Sequence, residues 1–512
     1  MSNALNVLHT VKPGSPSTNG KAHHSRPDAV LDAVAAALGA DRVVTPVGSH
    51  TGAATMRLGP NVGLYDQRDV AGVIRPRTAD EVRRVVAIVA GSADPVALQP
   101  MSTGHNWGLG SREPADNGAV ILDLSGMDRV RAIDTTAGWA VVEPGVTQGE
   151  LAKRLAGTAR KLNLTASSMH TSVVGNALDR GVGLLRQRVE DLAGLEVVLP
   201  SGEMMRVGWW PSDSGRTPLY PHGLGPSALP LFLQSNLGVV TAAAIRLPPA
   251  PEALLVVRLN FTRSHLREAV DLVRHWVSQG LTHGVPKVYD PAAAKAYHGT
   301  EDEFLVHVCV AGTMASAEAL TKVLIDEAVA SGVFTQVTHT DRADPDPDVR
   351  EVATLVELGY AGQPDDEDAL FQAKMRVPAD DVDSAGGGFL FFLPLVPFTG
   401  EAIAQATELL DRVHETSGIR CGATMNMLDA DVVDFVVTMR FSPDDESAAH
   451  AHETLDRMYG MFGEAGFLPY RLDVDHADAI DHLSPDPAAR RFIRHLKDVL
   501  DPRTVIAPGR YG

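Results

Sequence analysis

Apolar positions after Thr78 recur every three to four residues, at Val82, Val85, Val86 and Val89, which predicts an amphipathic helix with that stripe buried. Thr78 and Glu81 precede it at the spacing of a capping box, in which the carboxylate reaches back to the cap's own N–H. Around this helix the pattern shortens to apolar runs that predict strands at 96–99, 119–124, 139–142, 195–199 and 239–247, with a further helix at about 149–159. A second pattern begins at Pro249-Ala250-Pro251. There a strand at 255–261 precedes a helix carrying Ala269, Val270, Val273 and Val277. The pair recurs as strand 389–395 with helix 401–414, and as strand 432–441 with helix 447–463. Repeated strand–helix pairs make an antiparallel sheet covered by helices on one face, so the predicted fold class is α+β. The acidic stretch 341–383, with Pro345, Pro347 and Pro364, reads as an irregular excursion. Asp486-Pro487 opens a last helix expected to bury Phe492, Leu496 and Val499.

A chain of 512 residues exceeds one ordinary core, so two domains, or one with a large insertion, are expected. Its 44% hydrophobic and 21% charged residues are those of a globular protein. The net charge of -19 argues against a nucleic-acid partner, which needs concentrated Lys and Arg. The first residues show no basic region followed by an apolar stretch, and no segment is long enough to span a bilayer, so a cytoplasmic protein with no membrane partner is expected. Cys309 and Cys421 are too few for a disulfide framework and read as buried free thiols.

Candidate chemistry starts at Ser102-Thr103-Gly104-His105-Asn106-Trp107-Gly108, directly after the strand at 96–99. Glycines there let backbone N–H groups approach an anion such as a pyrophosphate, and the hydroxyls add donors. Neither a G-x-G-x-x-G nor a Gly-Lys-Ser/Thr pattern is present. Three more segments offer close backbone approach: Pro144-Gly145-Val146-Thr147 before a helix start, Gly175-Asn176 with Arg180-Gly181-Val182-Gly183, and Ser235-Asn236-Leu237-Gly238-Val239-Val240.

In their order and wording these segments resemble the vanillyl-alcohol oxidase / 4-cresol dehydrogenase family of flavoproteins. The resemblance extends from Val73-Ile74-Arg75-Pro76 through Gly223-Leu224-Gly225-Pro226 to Asp501-Pro502 and Ile506-Ala507-Pro508-Gly509, and is loose between about 252 and 421. It implies a two-part FAD-binding domain of the PCMH type with an inserted cap domain of antiparallel sheet plus helices. The expected organisation is a disordered extension at 1–28, the FAD-binding domain at 29–250, the cap or substrate domain at 251–465, and a segment at 466–512 that returns to the FAD domain. FAD would be held by Ser102, Thr103, Gly104, His105, Asn106, Gly108, Pro144, Gly145, Thr147, Gly175, Asn176, Arg180, Gly181, Gly183, Gly238 and Val240. A homodimer and a small-molecule substrate are also implied.

By the same resemblance, His105 is the candidate covalent anchor of FAD, while Thr171 stands where a doubly linked relative would carry cysteine. The cap-borne attachment point aligns near Phe435, which cannot form that bond. Tyr470 and Arg471 match the pair that holds a phenolate oxygen, and are the candidate catalytic residues. Two departures count against a simple phenol. Leu109 replaces a tyrosine of the loop, and the segment 184–191 has no acid in the family's place. Arg186 or Arg188 could instead face an acidic substrate, or pair with Glu190 and Asp191. Asp473, Asp475, His476, Asp478, Asp481 and His482 lack the spacing of a calcium or zinc site, so no metal is expected, although His476 is near enough to Tyr470 to enter the pocket. His450 and His452 read as exposed helix surface.

The expected activity is transfer of hydride from an alcohol, amine or benzylic carbon, a phenol among the candidates, to flavin N5 and then to O2 or another acceptor. One alternative is a natural-product tailoring oxidase acting on a non-phenolic or acidic metabolite. Another, from a different class, is a non-catalytic flavin- or ligand-binding protein.

Overall fold

A computed structural model describes residues 27–46, 55–93, 96–212, 218–340, 346–363, 365, 367–385, 387–484 and 486–511. The expected extension at 1–28 lies outside these apart from Pro27 and Asp28, which open helix α1 (Pro27–Leu38). Three sheets follow, in an α+β arrangement.

The first sheet has the order β1 (Val43–Val44), β2 (Gly72–Ile74), β4 (Val120–Asp123), β3 (Leu98–Met101), with β2, β4 and β3 parallel. Between β2 and β3 runs α2 (Ala79–Gly91), whose buried face is the predicted Val82, Val85, Val86 and Val89. Its cap is half of the predicted box. Thr78 Oγ1 accepts from Glu81 N at 3.1 Å, but the Glu81 carboxylate accepts from Arg77 N at 2.6 Å. The second sheet is antiparallel, in the order β5 (Val130–Asp134), β6 (Trp139–Val142), β9 (Val239–Arg246), β7 (Leu192–Val198), β8 (Met204–Gly208). Helices α3 (Gln148–Leu155) and α4 (Val173–Leu178) connect β6 to β7.

The third sheet is antiparallel and eight-stranded: β13 (Gln336–His339), β10 (Ala253–Thr262), β12 (Glu303–Gly312), β11 (Lys287–Tyr289), β16 (Gly422–Met427), β17 (Val432–Phe441), β14 (Gly388–Phe392), with β15 (Leu395–Pro397) also on β17. Alternation sorts its side chains. Val288, Met425, Val433, Phe435, Val437 and Leu390 join a core with α5 (Leu266–Ser278), α7 (Met314–Ser331), α10 (Gly400–Ser417) and α11 (Asp445–Glu464). Lys287, Tyr289, Thr424, Asn426, Asp434 and Phe391 point the other way. Short helix α6 (Pro291–Ala294) follows β11.

Two expectations are corrected here. The acidic stretch contains α8 (Pro347–Tyr360) and α9 (Ala369–Met375), which bury Val352, Val356, Tyr360, Phe371 and Met375; residues 341–345, 364 and 366 of it lie outside the described residues. After the short α12 (Ile480–Leu483), the last helix α13 (Pro487–Leu500) is capped by Asp486 as predicted, yet of the three expected core residues only Leu496 is even partly buried. Phe492 and Val499 are 59% and 63% exposed, while Arg490 and Lys497 are buried. Lys497 overrides periodicity because its ammonium donates to Asn236 O, Ile506 O and Asp501 Oδ2 at 2.6–2.8 Å, so its burial is fully compensated. Val505 and Ile506 then close against β3, where Leu98 N donates to Val505 O at 2.7 Å and Ala507 N to Leu98 O at 2.8 Å. Among the described residues no helix is long and apolar enough to cross a membrane.

Candidate active site

Strand β3 delivers the chain into the loop after Met101, where Gly104 and Gly108 both take φ +73°, a left-handed conformation that glycine adopts without a steric penalty. The loop forms one wall of a cavity of about 270 Å³. Of the residues predicted from sequence, Ser102, Thr103, Gly104, His105, Asn106, Pro144, Gly175, Asn176, Gly238 and Val240 line it. Among the described residues, the backbone N–H groups of Ser102 to Asn106 have no hydrogen-bond partner. Gly175 sits so close that a Cβ there would lie 2.3 Å from Ser102 Oγ. Asn176 Oδ1 and His105 Nδ1 are buried without partners.

The other predicted loop residues lie around this cavity rather than in its wall. Gly145 packs where a Cβ would strike Ser125 O at 2.1 Å, and Gly183 where it would strike Asn163 Oδ1 at 2.1 Å. Thr147 caps α3 through Glu150 N. Arg180 adopts φ +54° after α4. Gly108 O accepts from Phe391 N and from the Tyr65 hydroxyl, joining the loop to β14. Gly181 lines a second cavity.

That second cavity, about 480 Å³, lies between the loop and the polar face of the eight-stranded sheet. His105, Asn106, Thr171, Asn176 and Arg471 line both spaces. Its wall also holds Tyr470, Leu109, Lys287, Asn426 and Asp434. The His105 ring stacks on Trp107 with centroids 4.5 Å apart, and burial lowers its pKa. Burial, and then Asp434, push the Tyr470 phenol upward, so it stays protonated. Burial opposes the Arg471 charge, but Asp179 outweighs it and keeps the guanidinium cationic. Arg471 Nη2 donates to Asp179 Oδ2 at 2.5 Å and to Asn106 Oδ1 at 2.7 Å, and Asp179 Oδ1 accepts from the Tyr511 hydroxyl at 2.6 Å. Burial works against the Asp179 carboxylate, yet Arg471, Arg510 and Tyr511 hold it below the usual range.

Sequence reasoning missed Asp179, Arg510 and Tyr511, which have no motif of their own. It also missed Lys287, Asn426 and Asp434, which are register neighbours on β11, β16 and β17. Their signal was a charged or amide side chain inside an otherwise apolar strand, Asp434 within VVDFVV most plainly. Lys287 Nζ donates to Asn426 Oδ1 at 2.5 Å, and Asn426 Nδ2 to Asp434 Oδ2 at 3.0 Å. Burial pushes the Asp434 carboxyl up to about 6, and burial followed by Lys374 pushes the Lys287 ammonium down to about 7.

Three expectations change, and of the two readings left open for Arg186 the pairing with Asp191 holds. Phe435 packs into the helix-covered core, and it is Phe389 and Phe391 of β14 that reach the second cavity. Arg186 pairs with Asp191, and Arg188 is buried with Nη1 3.4 Å from Gln148 Oε1, so neither lines the second cavity. His476 is held between Asp473 and Asp456 and stacks on Tyr459, and it does not line the second cavity. His452 is half-buried, with Nε2 2.9 Å from Gly63 O. Cys309 and Cys421 are buried and free. Among the described residues, no group of three or more His, Cys, Asp and Glu is arranged to hold a metal ion.

Residues 70–208 match the family model described as FAD binding domain. The chain is 27% identical over 500 residues to 1'-carboxy-chondrochloren decarboxylase of Chondromyces crocatus, covering 86% of this chain and 90% of that protein. It is 24% identical to the 4-cresol dehydrogenase [hydroxylating] flavoprotein subunit of Pseudomonas putida, covering 86% and 88%. In fold it is similar to the crystal structure of p-cresol methylhydroxylase with substrate bound, with a TM-score of 0.83 at 21% identity over 95% of this chain and 96% of that one. Residues 70–208 are thus an FAD-binding domain, the fold is similar to that of p-cresol methylhydroxylase, and the chain is an FAD-dependent oxidoreductase.

Proposed function

We propose that the first cavity holds FAD and that the second holds a small organic substrate, an alcohol, amine or compound with a benzylic carbon, from which hydride is removed. The observation that carries this reading is the junction of the two cavities at His105, Asn106, Thr171, Asn176 and Arg471, where a redox ring and a substrate would meet. The residues present fit the cofactor. Free amides from Ser102 to Asn106 suit a pyrophosphate, and the lone Asn176 Oδ1 and His105 Nδ1 suit polar or reactive edges of a flavin. Bound FAD supplies the two-electron acceptor, regenerated by O2 or another oxidant.

The protein's own groups bind, orient and take protons. Tyr470 keeps its phenolic proton and so donates a hydrogen bond to the substrate. Arg471, fixed by Asp179 and Asn106, supplies a permanent positive charge beside it. Asp434 Oδ1 is buried, unpaired and in the same wall, suited to accept a substrate O–H or N–H proton as hydride leaves the adjoining carbon.

A second reading, a tailoring oxidase for an acidic or non-phenolic metabolite, is favoured by Leu109, which gives the cavity wall an apolar side chain where phenol binding would call for a hydroxyl. The carboxy group in the name of the Chondromyces crocatus relative points the same way. Anaerobic addition of alcohols, amines, 4-alkylphenols and aryl carboxylic acids to the purified yellow protein tests the proposal. Bleaching of the flavin band by one class supports it. Flavin that is bound yet reduced by none of them would favour the non-catalytic binder, and a protein that binds no flavin would sink both. The exposed Phe492 and Val499 of α13 support a homodimer, which its sedimentation checks.

A further inference from the structure

Lys287 lies at the centre of the eight-stranded sheet, where β11 is flanked by β12 and β16. Its neighbour Val288 faces the helix-covered core, so alternation sends Lys287 to the cavity side. The residue is buried, and a buried ammonium is costly unless its charge is matched and its three donors are filled. Among the described residues it has one hydrogen-bond partner, Asn426 Oδ1, and no ion pair. Asn426 is itself fixed by donating to Asp434, so the amide oxygen stays turned toward Lys287. Two donors of the ammonium remain for something else.

The surroundings strengthen the point. Among the described residues, Lys287, Lys295, Lys374, Arg376, Arg440 and Arg471 line this cavity against the single acid Asp434, in a chain whose net charge is -19. Arg471 is committed to Asp179, and Lys295 pairs with Glu301. Lys374 donates to Ala166 O and Arg440 to Met375 O, neither of which neutralises charge. A pocket of one sign inside a protein of the other selects its ligand by charge.

We propose that Lys287 receives a carboxylate of the substrate, so that the second cavity takes a small carboxylic acid whose oxidisable carbon lies toward Tyr470. This rests on reading the second cavity as the substrate site. Two ammonium donors match two carboxylate oxygens, and the nearby Asp434 disfavours a dianion such as phosphate.

The test uses the FAD-loaded protein and three probes, phenylacetate, 3-phenylpropionate and 3-(4-hydroxyphenyl)propionate, each titrated against its own carboxamide by the change in the flavin spectrum. At least one acid binds about tenfold more tightly than its amide, as expected for a charge-assisted hydrogen bond. In Lys287→Met the preference falls below about twofold, and in Lys287→Arg it persists. Three results would overturn the inference: no acid perturbs the flavin, the amides bind the unsubstituted protein as well as the acids do, or Lys287→Met keeps the preference. The first two need no variant, so a failure of Lys287→Met to fold leaves the inference exposed to them. Flavin content and reduction by neutral alcohols or amines are read on the same samples. A protein that is loaded and reduced, but blind to the acids, overturns this inference alone; one that takes no flavin overturns the reading beneath it.

Discussion

Arg471 and Asp179 meet at 2.5 Å across the junction of the two cavities, joining the residue after Tyr470 to the end of α4. The pair is mostly buried, at 14% and 20% side-chain exposure, and each partner has further bonds, from Arg471 to Asn106 and from Tyr511 to Asp179. Removing one charge leaves the other uncompensated. Asp179→Asn is expected to lower stability by about 3 kcal/mol, measured by denaturant unfolding of the flavin-free protein. A loss below about 1 kcal/mol would mean that water screens the pair.

His105 lines both cavities with Nδ1 unpaired, which makes it the candidate attachment point for the flavin. Acid precipitation should carry the yellow colour into the pellet, and His105→Ala should leave it in the supernatant while the native protein still retains FAD through the amides of the loop. Colour in the supernatant of the unsubstituted protein would establish a noncovalent cofactor.

Asp434 predicts a pH profile. Burial raises its carboxyl to about 6, and it must be ionised to accept a proton. Flavin reduction should therefore accelerate as pH rises through about 6 and then level off. Lys287, Arg471 and Tyr470 face Asp434 from the neighbouring strands and loop, and the two cations oppose the shift. Asp434→Asn should abolish this limb and slow reduction by about 10²–10⁴-fold, read in stopped-flow mixing. An unchanged limb would assign the proton to another group.

His476 predicts a stability profile of the opposite sense. Burial disfavours its cation, but Asp456 and Asp473 outweigh burial and raise its pKa to about 10. A group raised in the folded state contributes fully below its unfolded pKa of about 6.5. That contribution then fades as pH climbs toward 10. The melting temperature should fall across that window, and in His476→Gln it should be lower at pH 6 but flatter above. Parallel profiles for the two proteins would rule the pair out as a source of stability.

Elements with local signals were legible in the sequence. Thr78 and the four valines specify α2 through one cap and one stripe, and no distant residue has to agree. The loop after Met101 was equally readable, because its glycines are required by its own backbone. Tertiary partners decided the remainder. The apolar Phe492 and Val499 yield the buried side of α13 to Lys497, whose acceptors lie on Asn236, Asp501 and Ile506. Prolines and acids suggested no helix where α8 and α9 form, since Pro347 serves at the first turn and Tyr360 and Phe371 bury against residues far away in sequence. Lys287, Asn426 and Asp434 are a row only after three strands pair in register, and sequence spacing does not contain that register.

The bond of Leu98 to Val505 and Ala507 also fixes an order of manufacture. The first cavity takes one wall from residues near 100 and another from Ile506, Ala507, Arg510 and Tyr511. During synthesis the glycine loop leaves the ribosome some four hundred residues before its opposite wall exists. Until the residues around 506 have followed it, the first cavity lacks a side, and a nascent polypeptide that carries the glycine loop alone holds only part of its wall.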